Sequence, residues 1–156
     1  MNIFKYFFIT IFISISAQAS NSLYLSCDVT SDTMTMLKNN NITDREIEKL
    51  KLMVELSFFP DNSLLSFSFE SNNPKVNLVP LINSSNTVTN AKNYSTDREW
   101  LLTNTAKEGE IRIDTQVKLN RFTGGIAYSY ILTSPEGMAQ QKVTGNCNKV
   151  DLKKKF

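Results

Sequence analysis

The chain contains two cysteines, Cys27 and Cys147, which stand near the two ends of its sequence. In an exported protein an even number of cysteines predicts disulfide pairing, and this bond would close a loop of about 120 residues. Bridged cysteines need Cα atoms within roughly 7 Å of each other. The first and last strands should therefore be neighbours, or face each other across a thin core, which favours a closed or nearly closed sheet.

The N-terminus carries the features of an export signal. Lys5 gives a positive start, residues 7–15 are mostly apolar, and Ala17-Gln18-Ala19 is a small-x-small cleavage pattern. The apolar run is too short to span a bilayer. We therefore predict a signal peptide over residues 1–19, cleaved after Ala19, and a periplasmic or secreted protein. The alternative is an N-terminal anchor that stays attached. No later stretch is long and apolar enough to span, so the mature protein is not expected to span a membrane.

Period-two alternation of apolar residues predicts β-strands along the mature chain. Residues 22–30 and 50–59 alternate in this way, whereas residues 31–41 are polar and Asn-rich and predict a loop. Thr43-x-x-Glu46 resembles a helix capping box, which allows one short helix near residues 43–49. Turn signals stand at residues 60–63 and 134–137.

The remaining segments also predict strands. Residues 76–82 contain Pro80, which suits an edge strand or an irregular crossing; the other predicted strands are 64–70, 99–103, 110–121 (as one or two runs), 126–133 and 138–147, with residues 87–89 as a weaker candidate for extended chain. The fold class is therefore all-β, a single antiparallel β-sandwich or small barrel over residues 20–148. We predict that residues 149–156 form a basic, flexible tail.

One stretch, KLNRFTGGIAYSY, presents a guanidinium, a hydroxyl and two glycines between two alternating runs. Glycine adopts positive φ without steric cost, as tight hairpins require, and Thr123 can hydrogen-bond the turn backbone. We therefore interpret residues 122–125 as a turn. Arg121, which can stack on an aromatic ring, and Trp100, the only tryptophan, are the candidate contact residues.

LNRFTGG, followed about twenty residues later by Gly145-Asn146-Cys147, resembles the C-terminal part of a group of small exported bacterial proteins of uncharacterised function. Those proteins end in an aliphatic-Asn/Asp-Arg-x-Thr-Gly hairpin and a Gly-x-Cys strand. The similarity covers residues 117–147, about a fifth of the chain. It implies bacterial export and a β fold, and it carries over no catalytic residue.

The composition excludes several kinds of chemistry. There is no histidine, which removes Ser-His-Asp and Cys-His catalysis and the commonest metal ligand. No glycine-rich phosphate loop is present, and we expect no cofactor and no metal. The formal net charge of +2 comes mainly from lysines of the tail, so the body lacks the broad basic face of a nucleic-acid-binding domain.

Three functions stay open. The first is a non-catalytic binding or interaction module whose partner is a protein, a surface or an apolar ligand. The second is a lipocalin-like carrier that holds an apolar small molecule inside a barrel, whose interior can equally be packed solid. The third, less favoured, is a hydrolase that uses two carboxylates, drawn from Asp97, Glu99, Glu108, Glu110 and Asp114.

Overall fold

The computed structural model describes residues 21–39, 41–83 and 91–150. The predicted signal peptide, the tail beyond residue 150 and the segment 87–89 lie outside the described residues. The strands are β1 (Asn21–Leu37), β2 (Ile42–Phe58), β3 (Leu64–Ser71), β4 (Leu81–Ile82), β5 (Lys92–Asn93), β6 (Glu99–Glu108), β7 (Ile111–Asn120), β8 (Gly125–Ser134) and β9 (Gly137–Lys149). Over these described ranges the chain forms no helix, and thus none long and apolar enough to cross a membrane.

All nine strands belong to one antiparallel sheet with the order β4-β3-β2-β1-β9-β8-β7-β6-β5. The order is a meander in which all consecutive strands except β4 and β5 pair, and in which the first strand also pairs with the last. The sheet curls into a half-barrel whose gap lies between β4 and β5. This confirms the predicted all-β class, and it confirms that the strands carrying the two cysteines are neighbours.

Hydrogen bonds outside the sheet ladder bridge the gap between β4 and β5. The backbone N–H of Ala91 donates to the Ile82 carbonyl oxygen (3.0 Å). The Asn93 side chain on β5 donates to the Leu64 carbonyl oxygen on β3 (3.2 Å). Because these bonds occupy carbonyl groups at the sheet edge, the two edges are held together where regular strand pairing ends.

Large side chains fill the interior of the half-barrel. Tyr128 and Phe67 are almost fully buried, and the ring of Phe69 meets the ring of Tyr128 edge-on with 5.5 Å between centroids. The Tyr128 hydroxyl accepts a hydrogen bond from the Val79 N–H (3.1 Å), which ties the irregular crossing before β4 to the barrel wall. The remaining buried apolar side chains come from most strands and from the segments before β4 and β5: Leu25, Val29, Leu50, Leu52, Val54, Leu56, Leu64, Val76, Leu78, Leu81, Ala91, Leu102, Val117, Leu119, Ile126 and Val143.

Two predictions for the region between residues 31 and 49 are wrong. Residues 31–37, predicted as loop, continue β1, because β2 and β9 hydrogen-bond to it on both sides. Residues 43–49, predicted as a possible short helix, belong to β2. The Thr43 hydroxyl donates across the pair to the Thr35 carbonyl oxygen (3.3 Å) instead of capping a helix. The polar composition of these residues does not indicate a strand, because their strands are stabilised by backbone hydrogen bonds to neighbouring strands and not by burial of apolar side chains.

Candidate functional site

The turn between β7 and β8 is built by side chains of the KLNRFTGGIAYSY stretch. The Asn120 side-chain oxygen accepts hydrogen bonds from the N–H groups of Phe122 (3.0 Å) and Thr123 (2.9 Å). The Thr123 hydroxyl accepts the Gly125 N–H (3.2 Å), and the Gly124 N–H donates to the Asn120 carbonyl oxygen (3.0 Å). The prediction of a turn here is confirmed, since the side-chain oxygens of Asn120 and Thr123 accept hydrogen bonds from N–H groups of the turn itself.

Arg121 and Trp100, the two predicted contact residues, lie together. The Arg121 guanidinium stands over the Trp100 ring, with Cζ 4.8 Å from the ring centroid. Its Nη1 donates to the Thr96 carbonyl oxygen (3.2 Å). The Trp100 ring packs in turn on Phe58, with 5.7 Å between centroids. The stack therefore joins β6 and the β7–β8 turn to β2 across the mouth of the half-barrel.

Phe122, which the sequence reasoning did not select, is the most exposed large apolar side chain of the described residues, at 78%. It stands at the tip of the turn, immediately after Arg121. The signal in the sequence was a phenylalanine at a turn position, where Gly, Pro, Asn, Asp and Ser normally dominate. The hydrogen bonds of the turn come from backbone groups and from the side chains of Asn120 and Thr123. The fold therefore gives no reason for an aromatic side chain at position 122.

A cleft of about 330 Å³ opens beneath this turn. Its walls combine apolar, amide and cationic side chains, and they contain no carboxylate; the residues are Leu23, Leu25, Trp100, Leu119, Asn120, Arg121, Phe122, Thr123, Gly124, Cys147, Asn148 and Lys149. Two cations without a neutralising acid in the walls favour a negatively charged group. An apolar group beside that charge would contact the aromatic rings.

The disulfide borders the same cleft. Cys27 on β1 and Cys147 on β9 are directly paired in the ladder, with 3.9 Å between Cα atoms, and the bond is formed. Both cysteines are buried. The predicted disulfide is therefore present. It links β1 to β9 through two cysteines that stand 120 residues apart in the sequence. Such a bond is compatible with an oxidising compartment.

Comparisons of the chain with protein-family models, with curated proteins and with solved structures gave no match. Function is therefore inferred from the geometry of the site itself. The resemblance of residues 117–147 to small exported bacterial proteins stays a prediction.

The carboxylates proposed for hydrolysis are dispersed along the β6–β7 hairpin and the loop before it. Asp114 accepts two hydrogen bonds from Arg112 (2.7 and 3.0 Å) and one from the Thr105 hydroxyl (2.7 Å). The pKa of Asp114 is lowered, and the largest cause is its hydrogen bonding with Arg112. Glu99 lies at the other end of the hairpin, with one oxygen 3.9 Å from the Lys118 ammonium. Six residues of strand place the two acids about 20 Å apart.

The other three acids lie in turns or beside them. Glu108 and Glu110 are exposed on either side of Gly109, and Asp97 is exposed in the loop before β6. Glycosidase carboxylates stand about 5 to 10 Å apart around the scissile bond, a spacing that Glu99 and Asp114 do not meet. Among the described residues no group of three or more acidic or cysteine side chains could hold a metal ion.

Proposed function

We propose that the protein is an exported, non-catalytic interaction module whose contact surface consists of Trp100, Arg121 and Phe122. The observation that carries this proposal is the exposure of Phe122, at 78%, beside an arginine that is already stacked on a tryptophan. Tryptophan, tyrosine and arginine are the residue types enriched among the side chains that contribute most to binding.

The contact surface is held in place before any partner arrives. Arg121 is fixed by its stack on Trp100 and by its bond to the Thr96 carbonyl oxygen. The Arg121 N–H also donates to the Arg98 carbonyl oxygen (2.9 Å), which ties the turn to the loop before β6. Side chains that are ordered in advance lose less conformational entropy on binding. This arrangement suits recognition by a surface.

The two alternative functions receive less support. A carrier needs a hollow interior, and here Tyr128, Phe67 and Phe69 meet inside the barrel. A hydrolase needs two acids around one substrate, and Asp114 is instead bonded by Arg112 and Thr105. Export is supported by the predicted signal sequence and by the disulfide, which oxidising compartments maintain.

Site-specific photocrosslinking tests the proposal. A photoreactive phenylalanine analogue replaces Phe122 in cells that export the protein, and a matched protein carries the analogue at Tyr94, an exposed aromatic (55%) beside the same half-barrel. We expect a discrete adduct from position 122, none from position 94, and a weaker adduct when Arg121→Ala is added. Equal labelling from both positions, or no adduct from position 122, would refute the proposed contact surface.

A further inference from the structure

Three methionines occupy neighbouring positions on β1 and β9. Four methionines lie in the described residues, and three of them, Met34, Met36 and Met138, fall within two residue pairs of one another. We propose that these three thioethers bind a soft monovalent metal ion, Cu(I). The site is separate from the contact surface, because eleven residues of β1, about 36 Å of strand, lie between Met36 and Leu25 in the cleft beneath the β7–β8 turn.

The sheet register places the three side chains on one face. Successive side chains of a strand point to opposite faces, so Met34 and Met36 share a face of β1. Met138 is directly paired with Met36, and directly paired residues lie on the same side of a sheet. The core-facing side chains of β1 stand at odd-numbered positions, among them Val29 and Ser31, which are both buried. The methionines therefore lie on the outer face, away from the core.

The spacing of these positions suits a single metal ion. Directly paired residues such as Met36 and Met138 have Cβ atoms about 4.5–5.5 Å apart, and diagonal neighbours are about 7–8 Å apart. Met34 and Met36 are separated by about 6.6 Å along the strand. Methionine is unbranched and has three rotatable bonds, so three sulfur atoms can meet at one ion. Because β1 and β9 are each paired on both sides, the backbone positions are fixed before the ion binds.

Methionine is the soft metal ligand that this chain offers. The sequence contains no histidine, and its two cysteines form the disulfide. Thioether sulfur selects Cu(I), whereas carboxylate and carbonyl oxygens suit Mg²⁺, Ca²⁺ and Mn²⁺. Zn²⁺ is held by cysteine, histidine and carboxylate ligands, and no group of three such side chains is placed for a metal in the described residues. We therefore revise the prediction of no metal, which was based on the absence of histidine.

The charged side chains beside the methionines favour a monovalent ion over a divalent one. Arg45 is paired with Met34 on the outer face, and its guanidinium bonds the Asp32 carboxylate (3.0 and 2.8 Å). Lys142 is paired with Asp32 on the other side, on β9. These three groups sum to one positive charge. Their repulsion of a metal ion doubles when the charge of the ion doubles.

The wider surroundings of the methionines are acidic. From the level of Asp32 to the strand ends, β1, β2, β6, β7, β8, β9 and their turns carry seven acids against five bases. The acids are Asp32, Asp44, Glu46, Glu108, Glu110, Asp114 and Glu136, and the bases are Lys38, Arg45, Lys107, Arg112 and Lys142. This surplus of negative charge attracts cations to this end of the half-barrel.

A cleft of about 210 Å³ gives access at the ends of β1, β8 and β9. Met36 and Met138 both line it, and its walls contain one carboxylate, Glu136, and neither lysine nor arginine. All three methionines are half-buried. Their side chains are therefore in contact with solvent, from which an ion arrives, and are partly shielded by their neighbours.

Methyl NMR of the mature chain, with the methionine methyl carbons labelled, tests the inference with Ag(I) as the probe. Ag(I) is a soft closed-shell ion like Cu(I), and it needs no reductant that would attack the disulfide. We expect the signals of Met34, Met36 and Met138 to shift together and to saturate at one ion per chain. Met53, which is also half-buried but lies elsewhere on β2, should not shift.

Competition with a colorimetric Cu(I) chelator, without oxygen and with ascorbate, measures binding of the proposed ion itself. Met138→Leu and Met34→Leu, one from each strand, should each weaken Cu(I) binding by about tenfold or more, since even the partners of metal ligands contribute on that scale. Met53→Leu is the matched control and should leave binding unchanged. Leucine replaces methionine with little change of volume, and urea unfolding checks that each variant is folded.

Three results would overturn the inference. They are the absence of a saturable shift with Ag(I), equal shifts of all four methionine signals, and equal losses of Cu(I) affinity from Met53→Leu and Met138→Leu. The outcome is independent of the proposed function, because no variant or signal in these experiments involves Trp100, Arg121 or Phe122. Failure of metal binding leaves the contact surface in place, and failure of photocrosslinking at position 122 leaves the metal site in place.

Discussion

Gly124 lies directly against the backbone of Cys147. The Cys147 N–H donates to the Gly124 carbonyl oxygen (2.9 Å), and a Cβ on Gly124 would collide with the Cys147 carbonyl oxygen. The turn that displays Arg121 and Phe122 is thus fixed to the strand that carries the disulfide. The joining of β1 to β9 and the position of Arg121 and Phe122 therefore depend on neighbouring backbone groups.

Gly124→Ala should be one of the most destabilising single substitutions in the β7–β8 turn. Gly124 has φ 71°, a conformation that costs an L-residue about 1–2 kcal/mol, and the collision with Cys147 adds to this. We expect a total loss of about 2–4 kcal/mol in urea unfolding. Gly109→Ala is the matched control, because Gly109 has φ 59° with open space around its Cα. Equal losses would show that the contact with Cys147 contributes nothing.

The Cys27–Cys147 bond should contribute strongly to stability. Cross-linking the two ends of a loop this long is worth about 4–5 kcal/mol in the chain-entropy model. We expect Cys27→Ala with Cys147→Ala to lower the free energy of unfolding by an amount approaching this value. The space that the two sulfur atoms leave in the core adds to the loss. A reducing agent should destabilise the unmodified protein and leave the double variant unaffected. An identical urea midpoint with and without reductant would contradict this expectation.

The sequence predicted that the first and last strands are neighbours, because the two cysteines lie on those strands. A disulfide between Cys27 and Cys147 requires their strands to lie close together, and residues 22–30 alternate cleanly around Cys27. The predicted turn at residues 122–125 also followed from local chemistry, since Asn120, Thr123 and Gly124 satisfy the turn without distant partners. These features were predictable because short-range geometry determines them.

The extent of β1 and β2 was not predictable from the same signals. Residues 31–37 and 43–49 are polar and bury little, so neither alternation nor hydrophobicity marks them as strand. Residues 31–37 pair with β2 and β9, and residues 43–49 pair with β1, so their structure depends on neighbouring strands and not on local sequence. The exposure of Phe122 likewise depends on the direction in which its turn projects from the sheet. The sequence therefore indicated Arg121 and Trp100 as contact residues but did not indicate Phe122.

Two aspartates should make stability fall at low pH. Hydrogen bonds from Arg45 lower the pKa of Asp32, and those from Arg112 lower the pKa of Asp114, both from an ordinary value of 3.8. A depressed folded-state pKa gives stability that is present above about pH 4 and is lost as the pH falls through the folded value. Thermal unfolding across pH 2 to 5 should therefore show a decline that Asp114→Asn makes shallower.

Asp44→Asn is the control for this experiment, because Asp44 is exposed and makes no ion pair within the described residues. It changes the net charge as Asp114→Asn does. If both variants flatten the decline equally, total charge and not the Arg112 pair sets the pH dependence.

Tyr128 should make stability fall at high pH. Burial raises the pKa of its phenol to about 12, against an ordinary value of 10.0. A raised folded-state pKa gives stability that is fully present below pH 10 and is lost as the pH rises towards 12. Tyr128→Phe should remove this dependence and also leave the Val79 N–H without its acceptor, at a cost of about 1–3 kcal/mol near neutral pH. Tyr130→Phe, whose ring is only partly buried, is the control; a steep alkaline loss that survives in Tyr128→Phe would contradict the assignment.

Fluorescence of Trp100, the only tryptophan, should report the stack with Arg121. The guanidinium covers one face of the ring at 4.8 Å from its centroid, and Phe58 packs against the ring as well. Arg121→Ala exposes the covered face to water, so the emission maximum should move to longer wavelength. Stability should fall by only about 0.5–1 kcal/mol, as for an exposed cation–π contact.

Two further variants decide whether the stack itself is responsible for that change. Arg121→Lys keeps the charge but loses the planar group that stacks on an aromatic face, so its spectrum should lie between those of the unmodified protein and Arg121→Ala. Arg98→Ala removes a neighbouring cation that is not over the ring, and its spectrum should match the unmodified protein. If Arg98→Ala shifted the emission as far as Arg121→Ala, the effect would be electrostatic, and the ordered stack would not be the feature that prepares this surface for binding.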